Sequence, residues 1–245
     1  VNNQSKEQII KYIFSTLYVD ENAANAIYRY FQEQYLYASI PHDRRLLMEF
    51  YHDGDEKSKK YVIFHTLYGR RVNDVLSRAV AYALAKIHKH DVEIGINDNG
   101  FYVASKKPMQ VSRAFSLLKS SQLKEVMKRA IEKSEVLKRR FRHCAARALM
   151  ILREYKCNRK KVGRQQVSSM ILMSAVKRIS DEFCILKEAR REVLEDLMDI
   201  DHAFEILKHI EENKLEIKQI HTSVPSPFAF TLVLQGSTDV MHMED

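Results

Sequence analysis

The feature that most restricts the fold is a long helical pattern in the second half of the chain. From Met109 to Lys214, apolar residues return every three or four positions almost without interruption, as in helices with one buried face. We predict that one helix of about nine turns lies within this region, and that Phe141 belongs to its core rather than stacking on a base. The apolar stripe of this predicted helix comprises Leu123, Met127, Ala130, Ser134, Leu137, Phe141, Cys144, Ala148, Leu152 and Tyr155.

Positive charge is concentrated in the same region. Between Lys119 and Arg164 there are 16 Lys and Arg residues against four Glu, a net +12, and because the whole chain carries +8 the remainder is about −4. Four carboxylates cannot neutralise sixteen cations, and this asymmetry is typical of proteins that bind nucleic acid. We predict contacts with backbone phosphates, with a merely solvated helix face as the alternative. The candidate residues are Arg139, Arg140, Arg142, Arg147, Lys160, Lys161 and Arg164.

A second basic feature is the pair Arg70 and Arg71, in the segment YGRRVND at 68–74. The pair lies where a predicted strand turns into a helix, and a helix start presents free N–H groups and the positive end of the helix dipole. The anion that these charges require is either a protein carboxylate such as Asp74 or a phosphate. The sequence leaves both open, and we include Arg70 and Arg71 among the candidate nucleic-acid-binding residues.

The chain as a whole predicts an α+β fold with a small antiparallel sheet attached to a predominantly helical block. Residues 1–39 are typical of a helix pair and residues 40–107 of strands with a long helix. Residues 108–213 form the helical block, and 214–245 return to strand-like or extended sequence. With only six Gly and four Pro there is no obvious flexible linker, so we predict one compact domain over 1–245.

Local signals place several elements more closely. Asp20 is a candidate N-cap for the second helix of the N-terminal pair. A long helix is predicted from Arg71 to about Lys89, and the dipeptide Asn99-Gly100 predicts the turn of an antiparallel hairpin. The segment 215–236, apart from its Pro-Ser-Pro interruption, is strand-like.

Signals for catalysis are weak. No glycine is followed by lysine, so the phosphate-binding loop G-x-x-x-x-G-K-[ST] is absent and we expect no ATP hydrolysis by this chain. In EDLMDIDH (195–202), Glu195, Asp199 and His202 share a face of a predicted helix. They could ligate a metal or act as acid and base. A solvated or salt-bridging surface explains the same cluster more simply. We therefore predict neither catalytic residues nor a metal site.

Cysteine usage and hydropathy suggest the compartment. Cys144, Cys157 and Cys184 are odd in number and form no C-x-x-C pair, which argues against a disulfide framework and a zinc site. No apolar run approaches about 18 residues, and the first twenty residues are unlike an export signal. We expect a cytoplasmic protein without membrane partners, and the absence of an initial Met suggests a fragment of a longer one.

Six blocks resemble, in content and order, the C-terminal region of archaeal-type large helicase-related (Lhr) proteins. The resemblance extends from Ile40 to Asp245, and linked blocks are more specific than any one motif. The blocks are IPHDRRLLMEF, FHTLYGRRVNDVLSRAVA, INDNGFYV, RRFRHCAARALMILREY, KEARREVLEDLMDID and PSPFAFTLVLQGSTDVMHMED.

The resemblance implies a role for the chain. Lhr proteins are superfamily-2 helicases in which two RecA-like motor domains and a winged helix precede this DEAD/H-associated region. They move 3′ to 5′ on single strands and unwind DNA and RNA–DNA duplexes, with a proposed role in DNA repair. By resemblance, the chain is an accessory domain that contacts the tracking strand, single-stranded DNA or RNA. ATP and Mg²⁺ would bind the motor domains, and no cofactor is expected here.

An alternative is a structural docking module that packs on the winged-helix and motor domains and touches nucleic acid little. Tyrosines in the first two predicted helices favour it, because exposed aromatic residues often mark docking surfaces. Tyrosine is also ordinary core material. The residues concerned are Tyr12, Tyr18, Tyr28, Tyr30, Tyr35 and Tyr37.

Overall fold

The computed structural model describes residues 5–52, 58–90, 92–152, 154–155, 158–159, 161–236 and 239–241. Its helices are α1 (Lys6–Leu17), α2 (Glu21–Tyr37), α3 (Arg70–His88), α4 (Val111–Leu117), α5 (Leu123–Ile131), α6 (Glu135–Arg147), α7 (Val162–Ile179), α8 (Cys184–Arg191), α9 (Ile200–Glu211) and α10 (Pro227–Leu234), with a 3₁₀ turn at Ser120–Gln122 and a π-helix at Glu192–Leu197. Its strands are β1 (Arg45–His52), β2 (Lys60–His65), β3 (Val92–Ile96), β4 (Gly100–Ser105), β5 (Glu154–Tyr155), β6 (Asn158–Arg159), β7 (Glu216–Thr222) and β8 (Asp239–Met241).

The main sheet has six strands in the order β7-β1-β2-β4-β3-β8, and β5 pairs with β6 in a separate two-stranded ladder. The α+β class predicted from the sequence is confirmed. The main sheet is mixed rather than antiparallel, because β7 returns after the helical block and pairs in parallel with β1, with Leu47 opposite Lys218. The other neighbours in this sheet are antiparallel, including the predicted β3–β4 hairpin.

Helix α3 connects the sheet to the helical block. It follows Gly69, whose positive φ of 82° suits glycine, and it packs on β3, β4 and the helices α4, α5 and α9. Ten of its 19 residues are buried, among them Val75, Leu76 and Leu84. Burying such side chains contributes roughly 1.5–3 kcal/mol each, so α3 stabilises the junction of the sheet with α4, α5 and α9.

The predicted nine-turn helix is wrong, because the chain breaks between α5 and α6. Ser134 forms the break: its hydroxyl donates to the carbonyl of Ile131 at 2.7 Å and accepts from the N–H of Leu137 at 3.2 Å. It therefore satisfies groups at both helix ends. The apolar stripe is nevertheless buried as far as Cys144, and Phe141 is fully buried, as predicted.

The C-terminal segment is only partly a strand. Strand β7 is present, but residues 227–234 form α10, so the strand prediction is wrong there. Pro227 occupies the first helical position, where its missing N–H costs nothing. Ala229 and Leu232 bury this helix against the face of the sheet formed by Ile63 and Tyr102.

The segment EDLMDIDH does not form one helix, so the predicted shared face is wrong. Glu195 lies in the π-helix, which ends at the extended residue Met198, and Asp199 then caps α9 by accepting from the N–H of His202 at 3.2 Å. Burial would raise the pKa of Asp199, but hydrogen bonds from His202 outweigh it and lower that pKa. Across the residues that the structure describes, no group of His, Cys, Asp and Glu could hold a metal ion.

A buried carboxylate fastens the C-terminal segment to the sheet. Glu49 Oε1 accepts from Thr222 Oγ1 at 2.9 Å and from the Ser226 N–H at 2.8 Å, and Oε2 accepts from Ser226 Oγ at 2.6 Å and His65 Nε2 at 2.8 Å. Burial would raise the pKa of Glu49, but the hydrogen bonds from His65 and Ser226 outweigh it, so this pKa lies below its usual value. The group is therefore ionised at neutral pH.

The predicted N-terminal helix pair is present, and Asp20 caps α2 with a 2.7 Å hydrogen bond from the N–H of Ala23. The pair is attached to the rest of the chain through the residues around α10. The hydroxyl of Tyr37 donates to the carbonyl of Val224 at 2.9 Å, and Gln34 Oε1 accepts from the N–H of Phe228 at 3.0 Å. No described helix combines the length and the apolar content that crossing a bilayer requires.

Candidate nucleic-acid interface

Helix α6 carries two arginines, Arg139 and Arg142, away from its buried face. Its buried residues Leu137, Phe141 and Cys144 face α7 and α8. Arg139 and Arg142 are three positions apart and therefore neighbours on another face; Arg139 is exposed and Arg142 is partly exposed. Within the described part of the chain, neither arginine belongs to an ion pair, so both guanidinium groups are available to an external anion.

Arg140 and Arg147, on the same helix, are already occupied. Both approach Glu192, which the π-helix turns toward α6. Arg147 Nη2 donates to Glu192 Oε1 and lies 3.3 Å from Cys144 Sγ, whereas Arg140 Nη1 is 3.6 Å from Glu192 Oε2. The Glu192 side chain is only 6% exposed, but that of Arg147 is 58% exposed. These two arginines therefore neutralise a buried carboxylate.

Acids from distant sequence neutralise further basic residues. Lys128 Nζ lies 2.5 Å from Asp181, and Lys124 Nζ lies 3.7 Å from Asp201. Hydrogen bonds from Arg190 and Lys128 lower the pKa of Asp181 to about 2. The count of acids within Lys119–Arg164 therefore overestimated the free charge. The predicted residues of this basic region that have no ion pair with the described chain are Arg139, Arg142, Lys161 and Arg164.

Lys161 and Arg164 lie at the start of α7, which packs beside α6. Lys161 is the residue before the helix and Arg164 is in its first turn, and both are exposed. The first turn holds no acid, so the helix dipole adds to their positive charge. Lys160, together with Arg153 and Lys156, lies outside the described residues.

Arg70 and Arg71 have internal partners. The N–H of Arg70 donates to Asp98 Oδ1 at 3.3 Å, so the carboxylate at the start of α3 is Asp98; Asp74 pairs with Arg78 at 2.7 Å instead. Arg71 Nη2 donates to the carbonyls of Glu195 at 2.7 Å and Met198 at 3.0 Å. The side chain of Arg71 therefore fixes the end of the π-helix, and that of Arg70 remains exposed.

A cleft of about 570 Å³ lies between α6 and the start of α8. Cys144, Arg147 and Glu192 line one part of it, and Cys184 and Glu188 line another. Burial raises the pKa of the Cys144 thiol, with the nearby Glu192 acting in the same direction. The thiol is thus protonated and poorly nucleophilic at neutral pH.

Two exposed apolar surfaces accompany the basic residues. On α1 and α2, Tyr12, Tyr18, Tyr30, Tyr35 and Tyr37 are exposed, and Tyr28 is partly buried. The second surface is on α7, where Val167, Met170 and Ile171 are exposed. It was not among the predicted sites, because helical spacing alone does not show which apolar residues of a helix remain exposed.

Comparison with known proteins identifies the family. Residues 40–229 match the DEAD/H associated family. The chain belongs to this family. It is 52% identical over 242 residues to the ATP-dependent helicase Lhr-Core of Methanothermobacter thermautotrophicus, which covers 99% of this chain and 28% of that protein. It is 39% identical over 250 residues to the Lhr-Core of Sulfolobus acidocaldarius, covering 100% of this chain and 28% of that protein.

A solved structure gives the same relationship. The helicase Lhr of Mycobacterium smegmatis, bound to ssDNA and AMP-PNP, superposes with a TM-score of 0.82 at 25% identity over 94% of this chain and 29% of that chain. The resemblance to Lhr proteins is therefore confirmed, and this DEAD/H associated chain corresponds to a domain of Lhr-family helicases. It spans a little more than a quarter of the length of the relatives it matches.

Proposed function

We propose that this chain is the nucleic-acid-binding accessory domain of an Lhr-type ATP-dependent helicase and contacts the phosphates of the tracking strand. The observation that carries the proposal is the pair Arg139 and Arg142, which share a face of α6 and have no counter-ion among the described residues. Phosphate oxygens suit such guanidinium groups. Lys161 and Arg164 extend the same positive region at the start of α7.

The ligand is a single strand of DNA or RNA in this proposal. The M. smegmatis relative bound to ssDNA supports it, and contacts through phosphates alone do not depend on base sequence. The chain contributes strand binding, whereas ATP, Mg²⁺ and 3′-to-5′ translocation belong to the RecA-like domains of the whole cytoplasmic helicase. Arg70 offers a separate, exposed cation near the sheet, and Arg71 acts mainly by holding the π-helix.

A salt titration tests the proposal. Fluorescein-labelled oligo-dT is titrated with the chain at several salt concentrations, and each neutralised phosphate on a single strand contributes about −0.7 to the log–log slope. Contacts by Arg139, Arg142, Lys161 and Arg164 would give a slope of about −2.8, since four times −0.7 is −2.8. Absence of binding at low salt, or a slope near zero, would refute phosphate contact.

A second candidate is a docking module for the winged-helix and motor domains. The N-terminal tyrosines favour it, because Tyr12, Tyr18 and Tyr35 are 65%, 94% and 64% exposed. Both functions can occur together, since α6 and the N-terminal helix pair are separate elements. A chain that binds no strand but whose presence stabilises the motor domains would support docking alone.

A further inference from the structure

Helix α7 has an unusual outward face. Its buried residues are Ser169, Met173 and Val176. On the opposite side, Val167, Met170 and Ile171 are 58%, 53% and 67% exposed, and their spacing of three and four places them together. The outward face of a surface helix ordinarily carries charged residues, but the segment QQVSSMILMSAV at 165–176 has none. The face is therefore suited to contact with another apolar surface.

The two ends of this face are cationic. Arg164 precedes the apolar residues and Arg178 follows them, both exposed and about 21 Å apart along the helix. If α7 paired with α7 of a second copy about a two-fold axis, an antiparallel arrangement would place Arg164 against Arg178. A parallel arrangement would place each arginine against its own equivalent. Like charges repel in either case, which argues against a second copy as the occupant.

A nucleic-acid strand also fits this face poorly. Such a strand carries one charge on every nucleotide, and its affinity depends on cations placed along it. Residues 165–176 offer none, so a strand lying there would lack phosphate contacts over about 18 Å. A protein surface that is apolar in its centre and carries a carboxylate near Arg178 is complementary in both respects.

We infer that the surface covering this face of α7 belongs to another part of the same longer polypeptide. The inference rests on the proposed function as a domain of a larger helicase. In the Methanothermobacter and M. smegmatis relatives, more than two thirds of the chain lies outside the matched region, which provides ample sequence for such a contact. The occupant covers Val167, Met170 and Ile171 and reaches Arg178. Lys161 and Arg164 stay free for the strand at the other end of α7.

Thiol labelling tests this assignment. Ile171→Cys is introduced together with Cys157→Ser and Cys184→Ser, and the maleimide reaction rate is measured in the chain alone. The same variant is then measured in a chimera in which the chain replaces the matched region of the Methanothermobacter Lhr-Core. Labelling in the chimera should be slower by about tenfold or more, because reaction requires access to the thiol. Lys208→Cys, at an exposed position on α9, is the matched control and should label equally in both.

Other outcomes identify other occupants. Equal rates at Ile171→Cys in the two proteins would overturn the inference. Protection in the chain alone that increases with protein concentration would indicate a second copy, and protection only after adding oligo-dT would indicate nucleic acid; both would also overturn it. If the chimera does not fold, cysteines at the positions aligned with Ile171 and Lys208 in the Methanothermobacter protein give the same comparison. The salt titration of the chain alone does not depend on thiol labelling. It can therefore support or refute the proposed function whatever the labelling shows.

Discussion

Glu192 and Arg147 form an ion pair in which the acid is buried and the base is exposed, at 6% and 58% of their side-chain surface. Arg140 approaches the same carboxylate. The buried charge thus holds two arginines of α6 away from external anions. Arg139 and Arg142, which turn away from this carboxylate, are free of such a constraint.

Glu192→Gln should strengthen strand binding. The substitution keeps the size of the side chain but removes the charge that holds Arg140 and Arg147, so the log–log salt slope should steepen by as much as about 1.4. Oligo-dT titrations at several salt concentrations measure it. Glu212→Gln, which releases only Lys214 at the end of α9, is the control for the change in net charge. An unchanged slope would place Arg140 and Arg147 away from the strand.

Arg139→Glu combined with Arg142→Glu should weaken strand binding and flatten the salt slope by at least ~1.4, because two phosphate contacts are lost. Lys208→Glu with Lys214→Glu reverses two exposed charges on and just after α9 and should change the slope much less. Circular dichroism establishes that both variants keep their helices. If the two variants bind with the slope of the parent, α6 is a solvated face and the docking function should replace the proposed one.

Glu49→Gln should reduce the free energy of unfolding by about 2–3 kcal/mol at pH 7, since charged hydrogen bonds to a buried carboxylate are lost. The folded-state pKa of Glu49 is lowered, so its contribution is present above the unfolded-state pKa and is lost as the pH falls through the folded-state value. The difference between variant and parent in urea unfolding should therefore shrink below about pH 4. Glu216→Gln, whose carboxylate forms an exposed pair with Arg45, should cost less than about 1 kcal/mol. A difference for Glu49→Gln that is constant with pH would contradict this account.

Gly95→Ala and Gly163→Ala should have opposite effects on thermal stability. A Cβ at Gly95 would lie 2.2 Å from Cε1 of the buried Tyr102 ring on β4, and such overpacking costs about 1–3 kcal/mol. A Cβ at Gly163, in the first turn of α7, meets no atom within 4 Å, and alanine favours the helix by up to about 1 kcal/mol. Differential scanning calorimetry shows whether the melting temperature of each variant lies below or above that of the parent. If Gly95→Ala melts at the temperature of the parent, the Tyr102 ring moves aside freely.

The chain alone should hydrolyse no ATP, with or without single-stranded DNA. No glycine in its sequence is followed by lysine, so it lacks the loop that cradles the β- and γ-phosphates. Phosphate release is measured on protein purified to constant specific activity. DNA-stimulated turnover that copurifies with the chain would contradict this expectation and the assignment of hydrolysis to other domains.

Elements specified by local sequence were predicted well. In α3 the apolar residues recur with helical spacing on one broad face, and that face is buried. The β3–β4 hairpin was predicted, but its turn lies at Asp98-Asn99, one residue before the predicted dipeptide, because Gly100 already belongs to β4. Asn97 Oδ1 supports this turn by accepting from the N–H groups of Asn99 and Gly100, both at 2.9 Å. Short-range hydrogen bonds of this kind can be inferred from the residue types alone.

Features that depend on distant residues were not predictable. The pairing of Arg140 and Arg147 with Glu192 joins positions more than forty residues apart, and local counting of acids could not include it. The break at Ser134 was overlooked because the apolar stripe continues across it with regular spacing. Helix α10 was overlooked because its apolar residues also suit a strand; Ser226-Pro227, a residue typical of an N-cap followed by proline, was the available signal.

The attachment of α2 to Val224 and Phe228 has a consequence for biosynthesis. These contacts join residues almost 190 or more positions apart, and the outer edge of β1 is likewise completed only by β7. A ribosome must therefore synthesise the chain as far as Phe228 before α2 can form these contacts. Until then the aromatic residues of α1 and α2 and an unpaired strand edge stay exposed to other nascent chains. Attachment of the helix pair and completion of the β1 edge thus both follow translation of residues 216–228.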